Sequence, residues 1–376
     1  MSKVKFGDIV KDVKNNVDRN NNPYEFYVAG DHMDSEDLNI RRRGKFATDD
    51  VGPAFTRIFK TGQVLYGSRR TYLKKVAVAD FDGICANTTF VFESKDPAVF
   101  EQSLLPFLML SEGFTSWSIA HSKGSTNPYV LFSDLASYEF DLPYLAEQKV
   151  LAEKLWAAYE VKQSYLKMIA ATEEMVKAQF IEMFGGGNWP QTTLGEVGSF
   201  TRGGGFQKSD FVEHGIPCIH YGQIHTKFGP FITSHITEIS SDLEPKTKFA
   251  SKGDLVIAIT SEDTEGSCKS TAWLGDYPVA VGGHAAIYKH SMNPLYMSFF
   301  FKSALFNHAK IEYVHGTKVF EIKPDDIAKI LVPCPPMSLQ NHFSAIAEQA
   351  DKSISELRKS VDAIDKVIKS LINENL

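Results

Sequence analysis

The sequence predicts an α+β protein in which two mixed α/β, β-rich domains are separated by a long antiparallel two-helix coiled coil. Three observations support this prediction: the chain length, an internal repeat and a heptad pattern of apolar residues. A chain of 376 residues exceeds the size at which one hydrophobic core keeps growing, so more than one globular unit is expected. A hydrophobic content of 43% is enough to fill such cores.

The chain repeats itself at a nearly constant spacing. Gly124 and Gly316 are 192 positions apart, and Gln148 and Gln340 keep the same spacing. A spacing conserved over half the chain indicates an internal pseudo-two-fold repeat, whereas coincident turns in unrelated segments are the alternative. The other matched pairs are Asp134-Leu135 with Asp326-Ile327, Pro143 with Pro335, Tyr27-Val28-Ala29-Gly30 with Ile219-His220-Tyr221-Gly222, Gly62-Gln63-Val64-Leu65 with Gly253-Asp254-Leu255-Val256, and Phe6-Gly7-Asp8-Ile9 with Leu194-Gly195-Glu196-Val197.

The first part of each repeat is typical of strands and turns. Short apolar and β-branched runs, such as residues 254–260 and 277–288, are separated by Gly, Asn, Asp and Pro. Runs of this length with these breakers favour strands over helices. Each repeat is therefore expected to begin with a β-rich domain.

The last part of each repeat is typical of a long helix. From Ala350 onward, apolar residues recur at alternating spacings of four and three, which is a heptad seam: Ile354, Leu357, Val361, Ile364, Ile368 and Leu371. The first repeat has a weaker seam, because Lys162 and Glu173 interrupt it. The helix ends at Gly185-Gly186-Gly187. The apolar members of this seam are Tyr159, Leu166, Ile169, Val176, Phe180 and Met183.

Domain boundaries follow from this change of pattern. The predicted β-rich domains are residues 1–143 and 186–336, and the predicted helices are residues 144–185 and 337–376. Either helix alone would expose its apolar stripe, and burying about six such side chains contributes on the order of 1.5–3 kcal/mol each. A two-fold repeat buries both stripes by pairing its helices antiparallel.

Composition excludes several classes of protein. No apolar run is long enough to span a bilayer, and Met1 to Asp12 has no apolar stretch of signal-peptide type, so a cytoplasmic location is expected. The cysteines Cys85, Cys218, Cys268 and Cys334 show no C-x-x-C spacing, which argues against a zinc site or a disulfide scaffold. The net charge of -6 does not by itself indicate nucleic-acid binding.

The segments at which strand-rich sequence passes into helix carry a family resemblance. The first reads Phe140-Asp141-Leu142-Pro143-Tyr144-Leu145-Ala146-Glu147-Gln148, and the second reads Val332-Pro333-Cys334-Pro335-Pro336-Met337-Ser338-Leu339-Gln340. These proline-bearing hinges resemble those of type I restriction-modification specificity subunits, in which Glu-Gln follows the proline. The second copy departs from the pattern at Leu339. The segments Gly62 to Arg70 and Gly215 to Ile219, and the turns at Gly124 and Gly316, are also similar to family patterns.

The resemblance covers essentially the whole chain and implies a function. It implies two target recognition domains on two conserved helices, which read a bipartite, asymmetric double-stranded DNA target with an unspecified spacer. It also implies docking of methyltransferase subunits, expected to be two, and of a restriction subunit with helicase and nuclease activities, as in phage defence. The chain would be non-catalytic, and S-adenosylmethionine, ATP and Mg would bind only to the partner subunits.

Residues that suit DNA reading lie in polar, glycine-rich stretches. Guanidinium groups pair with guanine, amides pair with adenine, and aromatic rings stack or contact methyl groups. Taken alone, the basic clusters around Arg41–Arg43 and around Arg69–Arg70 favour a solvated face over a phosphate-binding site. The candidates are Arg41, Arg42, Arg43, Arg69, Arg70 and Lys123 in the first domain, and Arg202, Lys208, His220, Tyr221, Gln223, His225, Lys227 and Lys318 in the second.

Motifs for catalysis and metal binding are incomplete in the sequence. Asn127-Pro128-Tyr129 and Asn22-Pro23-Tyr24 are each one proline short of the N-P-P-Y loop of adenine methyltransferases. The Gly203-Gly204-Gly205 run lacks the G-K-[ST] of a phosphate loop, and His220 and His225 lack H-E-x-x-H or cysteine partners. No catalytic residue and no metal site is therefore expected. A coiled-coil interaction protein with two binding domains that do not bind DNA remains the alternative.

Overall fold

The computed structural model describes residues 2–18 and 21–376, so Met1, Arg19 and Asn20 of the first predicted domain lie outside the described residues. The chain divides into two compact units. Unit 1 comprises Met1–Lys167 and Arg358–Leu376, and unit 2 comprises Met168–Leu357. The division differs from the predicted boundaries because it cuts each long helix, so that each unit contains one β-rich domain with a part of both helices.

Unit 1 is a mixed α/β domain followed by the first part of a long helix. Its strands are β1 (Ser2–Lys5), β2 (Val10–Asp12), β3 (Phe26–Val28), β4 (Gly44–Lys45), β5 (Phe55–Phe59), β6 (Val64–Gly67), β7 (Val76–Val78), β8 (Gly83–Ala86), β9 (Thr89–Ser94) and β10 (Glu139–Leu142). Its helices are α1 (Phe6–Ile9), α2 (Leu105–Leu110), α3 (Glu112–Ala120), α4 (Phe132–Ala136) and the start of α5 (Leu145–Phe184). One sheet has the order β2-β9-β6-β7 and the other the order β4-β3-β8-β5, while β1 pairs with β10.

Unit 2 repeats this plan with more strands. They are β11 (Gln191–Thr193), β12 (Gly198–Arg202), β13 (Phe211–Val212), β14 (Ile216–Ile219), β15 (Phe231–Ile232), β16 (Thr237–Ile239), β17 (Phe249–Ala250), β18 (Leu255–Ala258), β19 (Thr260–Ser261), β20 (Ser270–Trp273), β21 (Val279–Val281), β22 (Ala285–His290), β23 (Phe320–Glu321) and β24 (Leu331–Pro333). The helices are α6 (Leu194–Val197), α7 (Tyr221–Thr226), α8 (Pro294–Phe300), α9 (Ala304–Lys310), α10 (Pro324–Ile327) and α11 (Met337–Asn375). The sheets have the orders β12-β22-β18-β20-β15 and β13-β16-β14-β21-β17, and β11 pairs with β24.

The internal repeat is visible in the hydrogen bonding of the two units. The parallel pair β3 and β8 of unit 1 corresponds to the parallel pair β14 and β21 of unit 2. A bridge joins Lys123 to Tyr129 in unit 1, and an equivalent bridge joins His315 to Glu321 in unit 2. The matched glycines Gly124 and Gly316 both have positive φ, +90° and +134°, a region that side chains with a Cβ rarely adopt. The repeat is therefore structural.

The hinge glutamine makes the same bonds in both repeats. Gln148 is buried, donates to the carbonyl of Pro143 at 2.9 Å and accepts from the amide of Glu101 at 2.9 Å. Since these backbone groups lie far apart in the chain, the side chain fixes the helix start to the domain that precedes it. In unit 2 the equivalent bonds join Gln340 to the Pro335 carbonyl (2.8 Å) and to the Asn293 amide (2.9 Å).

The two long helices pack antiparallel within each unit. The predicted helices, 144–185 and 337–376, correspond to Leu145–Phe184 and Met337–Asn375. In unit 1, Leu155 from the beginning of α5 shares a core with Ile368 and Ile372 from the end of α11. In unit 2, Phe180 from the end of α5 packs against Phe343 from the beginning of α11, with ring centroids 5.2 Å apart.

The interrupted seam of α5 has a local explanation. Lys162 does not leave an unpaired charge in the seam, because its ammonium lies 2.6 Å from the carboxylate of Asp365 on α11. The prediction that Leu166 lies on the seam is wrong, since that side chain is 39% exposed. Glu173, seven residues after Leu166, is also exposed. The heptad position that these two residues share therefore faces solvent, and fewer side chains of α5 take part in the seam here.

The described residues contain no helix that is both long and apolar enough to cross a membrane.

All four cysteines are free thiols, and Cys85, Cys218 and Cys268 are buried. Burial raises the pKa of Cys85 and of Cys268 to about 12. These thiols therefore stay protonated at neutral pH and act as small core side chains.

Candidate nucleic-acid interface

Two loops of unit 1 meet and present a group of exposed basic and aromatic side chains. The loop after β6 carries Arg69 and Arg70, and the turn after α3 carries Lys123 and Tyr129. Arg69 forms a β-bridge with Tyr129, and the Arg70 amide donates to the carbonyl of Pro128 at 2.6 Å. We call Arg69, Arg70, Tyr72, Lys123 and Tyr129 the basic edge.

The arginines of the basic edge are exposed and available to a ligand. Within residues 2–18 and 21–376, the guanidinium groups of Arg69 and Arg70 form no hydrogen bond or ion pair. Lys123 is exposed but its ammonium lies 3.0 Å from the Asp134 carboxylate, which also lowers the pKa of that carboxyl. A phosphate or a base edge would thus find two unpaired guanidinium groups here, the pattern that suits both phosphate and guanine.

The arginine run at 41–43 is engaged within unit 1. Arg41 donates from Nε to the Asp37 carboxylate at 2.7 Å and also bonds Gln163 on α5. Arg42 bonds the Asp31 carbonyl at 2.8 Å and pairs with the Asp34 carboxylate. The guanidinium of Arg43 lies 4.2 Å from the ring centroid of Phe26 and 5.0 Å from that of Phe81. A DNA contact by Arg41 or Arg42 would compete with these bonds.

In unit 2 the candidates Arg202, Tyr221 and His225 lie around one residue that the sequence did not single out, His284. The Tyr221 ring is 5.1 Å from that of His284 and 6.0 Å from that of His225. Nε of Arg202 donates to the Gly283 carbonyl at 2.9 Å, and its terminal nitrogen lies 3.2 Å from Glu321. Arg202, Tyr221 and His284 are exposed, whereas His225 is half-buried with its Nε2 3.0 Å from the Thr260 carbonyl oxygen. We call these four residues the imidazole surface.

The glycine run beside this surface permits a close backbone approach. Gly204 forms a parallel bridge with Gly282, and a Cβ on Gly203 would lie 2.3 Å from the Gly282 carbonyl oxygen. Glycine is therefore required by packing, which accounts for Gly203-Gly204-Gly205 without a nucleotide site. The run brings the end of β12, with Arg202, against the turn that carries His284.

Other candidates of unit 2 have different surroundings. Gln223 is 4% exposed, and its side chain accepts from the His220 amide at 3.1 Å and donates to Thr237 at 3.0 Å. These bonds shape the start of α7. A contact between Gln223 and a base would break both of them. The His220 ring lies 5.3 Å from that of Phe211, and burial lowers its pKa. Lys208, Lys227 and Lys318 are exposed; Lys318 lies on the turn that the His315–Glu321 bridge closes.

Four residues that lie on these surfaces, or that support them from beneath, could not be singled out from the sequence pattern. Tyr72 and Tyr129 are 53% and 42% exposed beside the unpaired arginines, and His284 completes the imidazole surface. Tyr129 belongs to the incomplete Asn127-Pro128-Tyr129 motif, and His284 carries no motif. Tyr159 was assigned only to the helix seam, although its hydroxyl also bonds the loop of Arg41. The available signal was an aromatic ring near an arginine pair for Tyr72, after a proline for Tyr129 and after two glycines for His284.

One loop beside the imidazole surface depends on a buried lysine. Lys310 is 3% exposed, and its ammonium donates to the carbonyls of Glu265 (2.9 Å) and Ser267 (2.6 Å). Burial lowers the pKa of Lys310, so the two carbonyl bonds compensate a desolvated charge.

Among the described residues, no group of three or more His, Cys, Asp and Glu side chains is arranged to hold a metal ion.

Comparison with known proteins finds relatives of this chain among type I specificity subunits. Residues 2–164 match the family model described as the type I restriction modification DNA specificity domain. The EcoDI specificity subunit of Escherichia coli is 28% identical over 148 residues, which are 39% of this chain and 32% of that protein. The MjaVIII specificity subunit of Methanocaldococcus jannaschii is 22% identical over 314 residues, 77% of this chain and 73% of that protein.

Solved structures share the fold over the whole chain. A chain from a study of complex assembly and conformational transition of the type I R-M system has a TM-score of 0.58 at 20% identity, covering 100% of this chain and 98% of that chain. The S subunit of the type I restriction-modification system from M. genitalium has a TM-score of 0.52 at 13% identity, covering 100% and 96%. Sequence and fold agree: residues 2–164 match the type I restriction modification DNA specificity domain, and the whole chain shares the fold of these solved type I structures.

Proposed function

We propose that this protein is the DNA-reading subunit of a type I restriction-modification complex. It reads two specified half-sequences separated by an unspecified spacer, one with each unit, and carries out no catalysis. The observation that carries this proposal is the pairing of one repeated scaffold with two different exposed surfaces, the basic edge and the imidazole surface. Since phosphate contacts position a protein and groove contacts specify sequence, two different surfaces on one scaffold suit an asymmetric bipartite target.

Replacing Arg69 and Arg70 with Ala together is expected to weaken specific DNA binding by roughly 10- to 100-fold, because two exposed guanidinium groups are lost. If they contact phosphates, the slope of log K against log salt should fall by about two. The measurement is fluorescence-anisotropy titration at several salt concentrations, on a duplex selected from a randomised library by the chain assembled with its methyltransferase partner.

The matched control variant also removes two positive charges from unit 1. Lys3 and Lys5 lie on β1 and face Glu139 at 3.7 and 3.9 Å, so their double Ala variant should bind as the unchanged protein does. Equal losses in both double variants would show a general charge effect and contradict a site at the basic edge. Selection of no sequence by the assembled complex would contradict the proposed function and favour a coiled-coil protein that does not read DNA.

The purified chain supplied with S-adenosylmethionine and DNA should transfer no methyl group.

The helix pair is proposed to dock the methyltransferase subunits, with the restriction subunit joining the assembly. Each unit has an apolar groove along the two helices. In unit 1 the groove is lined by Pro143, Ala146, Val150 and Leu371, and in unit 2 by Met175, Ile346 and Ala350. Val150 and His342 occupy matched positions of the repeat and line the two grooves. Related grooves in two related units suit two copies of one partner, and the partner would supply S-adenosylmethionine binding.

Val150→Glu is expected to reduce methyltransferase assembly by at least about tenfold, because Val150 is 49% exposed in the groove. Burying a carboxylate under the partner costs several kcal/mol of desolvation, which a pair with the nearby Lys154 does not recover in full. The control is Ala170→Glu, an exposed position on α5 that lies about 200° around the helix from Val150. Analytical ultracentrifugation of the mixed subunits gives the assembled fraction. Normal assembly of Val150→Glu, or an equal loss with Ala170→Glu, would exclude this groove as the docking surface.

A further inference from the structure

Tyr159 joins helix α5 to the loop between β3 and β4 in unit 1. The side chain is 5% exposed. Its hydroxyl accepts hydrogen bonds from the Leu38 amide and from the Asn39 side chain, both at 2.8 Å, and donates to the Asp37 carboxylate. Asp37 also accepts from Nε of Arg41 at 2.7 Å. The phenol oxygen of Tyr159 therefore bonds three consecutive residues of the turn at 37–41, beside the bond that joins Arg41 to Gln163 on the same helix.

The protonation states keep this arrangement intact at neutral pH. Burial, and then the bond to Asp37, raise the pKa of Tyr159, so its hydroxyl stays a donor. Burial alone would raise the pKa of Asp37, but the bonds from Arg41, Tyr159 and the Asn39 amide together lower it, so its carboxylate stays an acceptor. A charged acceptor with three donors is the stronger kind of hydrogen-bond network.

The same loop is tied to the basic edge on its other side. Glu36, next to Asp37, pairs with Lys74 at 2.8 Å, and the Glu36 amide donates to the Lys74 carbonyl at 3.1 Å. Lys74 follows the short 3-10 turn Thr71–Leu73, which begins directly after Arg70. Contacts therefore run without interruption from Tyr159 on the helix to the segment that presents Arg69 and Arg70.

Unit 2 has no equivalent of the Tyr159 bond. The carbonyl of Leu38 accepts from the Val78 amide at 2.9 Å, and the carbonyl of Pro230 accepts from the Ala272 amide at 2.9 Å, so these residues are equivalent in the repeat. Proline has no N–H to donate. The position 192 residues after Tyr159 is Asp351, so the phenol hydroxyl is not repeated in unit 2 either. The bond between helix and loop is thus a property of unit 1.

We propose that Tyr159 is a positioning residue that fixes the basic edge on helix α5, and so fixes where one half of the DNA target is read. The inference rests on the proposed function, because it assigns the basic edge to one half-site. A loop released from the helix lets that half-site be read at more than one distance from the other half. The half-site read by unit 2 keeps its sequence and its placement.

The test variant is Tyr159→Phe in the full chain, assembled with its methyltransferase partner. The ring still packs edge-on against Trp156, 5.6 Å away, but the buried Leu38 amide loses its acceptor. Selection from a duplex library with randomised bases and variable spacers should show discrimination against spacers one base pair longer or shorter falling roughly tenfold. The half-site of unit 1 is the one whose selection weakens in the Arg69/Arg70 double Ala variant.

Hydrogen exchange supplies a readout that does not depend on DNA. The amides of residues 36–41 should exchange at least about tenfold faster in Tyr159→Phe, while those of unit 2 stay unchanged. Asp37→Asn should shift both readouts in the same direction by a smaller factor, and covers the case in which Tyr159→Phe folds poorly. The control is Tyr165→Phe on the same helix, because the Tyr165 hydroxyl makes no hydrogen bond within the described residues.

The outcomes separate this inference from the proposed function. Unchanged spacer discrimination in Tyr159→Phe, or equal weakening of both half-sites, overturns the positioning role even if the loop amides exchange faster. Failure of the unchanged protein to select any bipartite sequence overturns the proposed function instead. Relaxed spacing confined to Tyr159→Phe and Asp37→Asn, with Tyr165→Phe unchanged, supports the positioning role.

Discussion

Phe343→Ala is expected to destabilise unit 2 by about 3–5 kcal/mol, which is the usual cost of removing a buried phenylalanine ring. Phe343 is fully buried near the start of α11, where its ring centroid lies 5.2 Å from that of Phe180 and 5.0 Å from that of Phe299. The residue joins both long helices to the β-rich domain, so a cavity there loosens three elements at once. Urea unfolding followed by hydrogen exchange, resolved by unit, measures the change.

The control for this variant lies on the same helix. Met337→Ala removes a 44% exposed side chain at the first residue of α11 and should change the free energy of unfolding by less than about 0.5 kcal/mol. Because each unit has its own core, exchange in the β-rich domain of unit 1 should stay unchanged. A loss below about 1 kcal/mol for Phe343→Ala would mean that the aromatic cluster does not hold the helices to unit 2.

Matched insertions of one heptad in both long helices are expected to lengthen the unread spacer by roughly three base pairs. Seven residues extend a helix by about 10 Å, and DNA rises about 3.4 Å per base pair. The insertions belong between Lys167 and Met168 and between Leu357 and Arg358, where the chain passes from one unit to the other. A whole heptad keeps the apolar seam in phase, and each unit keeps its own loops, so both specified half-sequences should be unchanged.

The longer spacer should carry a cost in affinity. Three base pairs turn one half-site by about 100° around the DNA axis, since a helical turn takes about 10.5 base pairs. Selection from a library with variable spacers measures the preferred length, and a four-residue insertion, which puts the seam out of phase, is the control. Retention of the original spacer, or a change in either half-sequence, would show that the helices do not set the distance.

Features that depend on local pattern could be predicted from the order of the residues alone. The heptad spacing from Ala350 to Leu371 predicted α11, and the glycines at 124 and 316 and the glutamines at 148 and 340 predicted the repeat that the hydrogen bonds confirm. These features were predictable because helix periodicity, positive φ and a buried hinge amide each restrict residue type at a single position. The family, too, was indicated by local pattern, through the resemblance of the two hinges.

Which candidate side chains are available to a ligand, and which residues hold the others, depends on contacts formed on folding. Arg41 and Arg69 belong to similar basic clusters in the sequence, yet Arg41 bonds Asp37 and Gln163 whereas the guanidinium of Arg69 has no partner among the described residues. The heptad pattern places Tyr159 in the seam, but its hydroxyl also accepts a hydrogen bond from the amide of Leu38, a residue more than 100 positions away in the chain. Charge and hydrogen-bond partners are set by contacts between distant segments, and such contacts leave no periodic signal along the sequence.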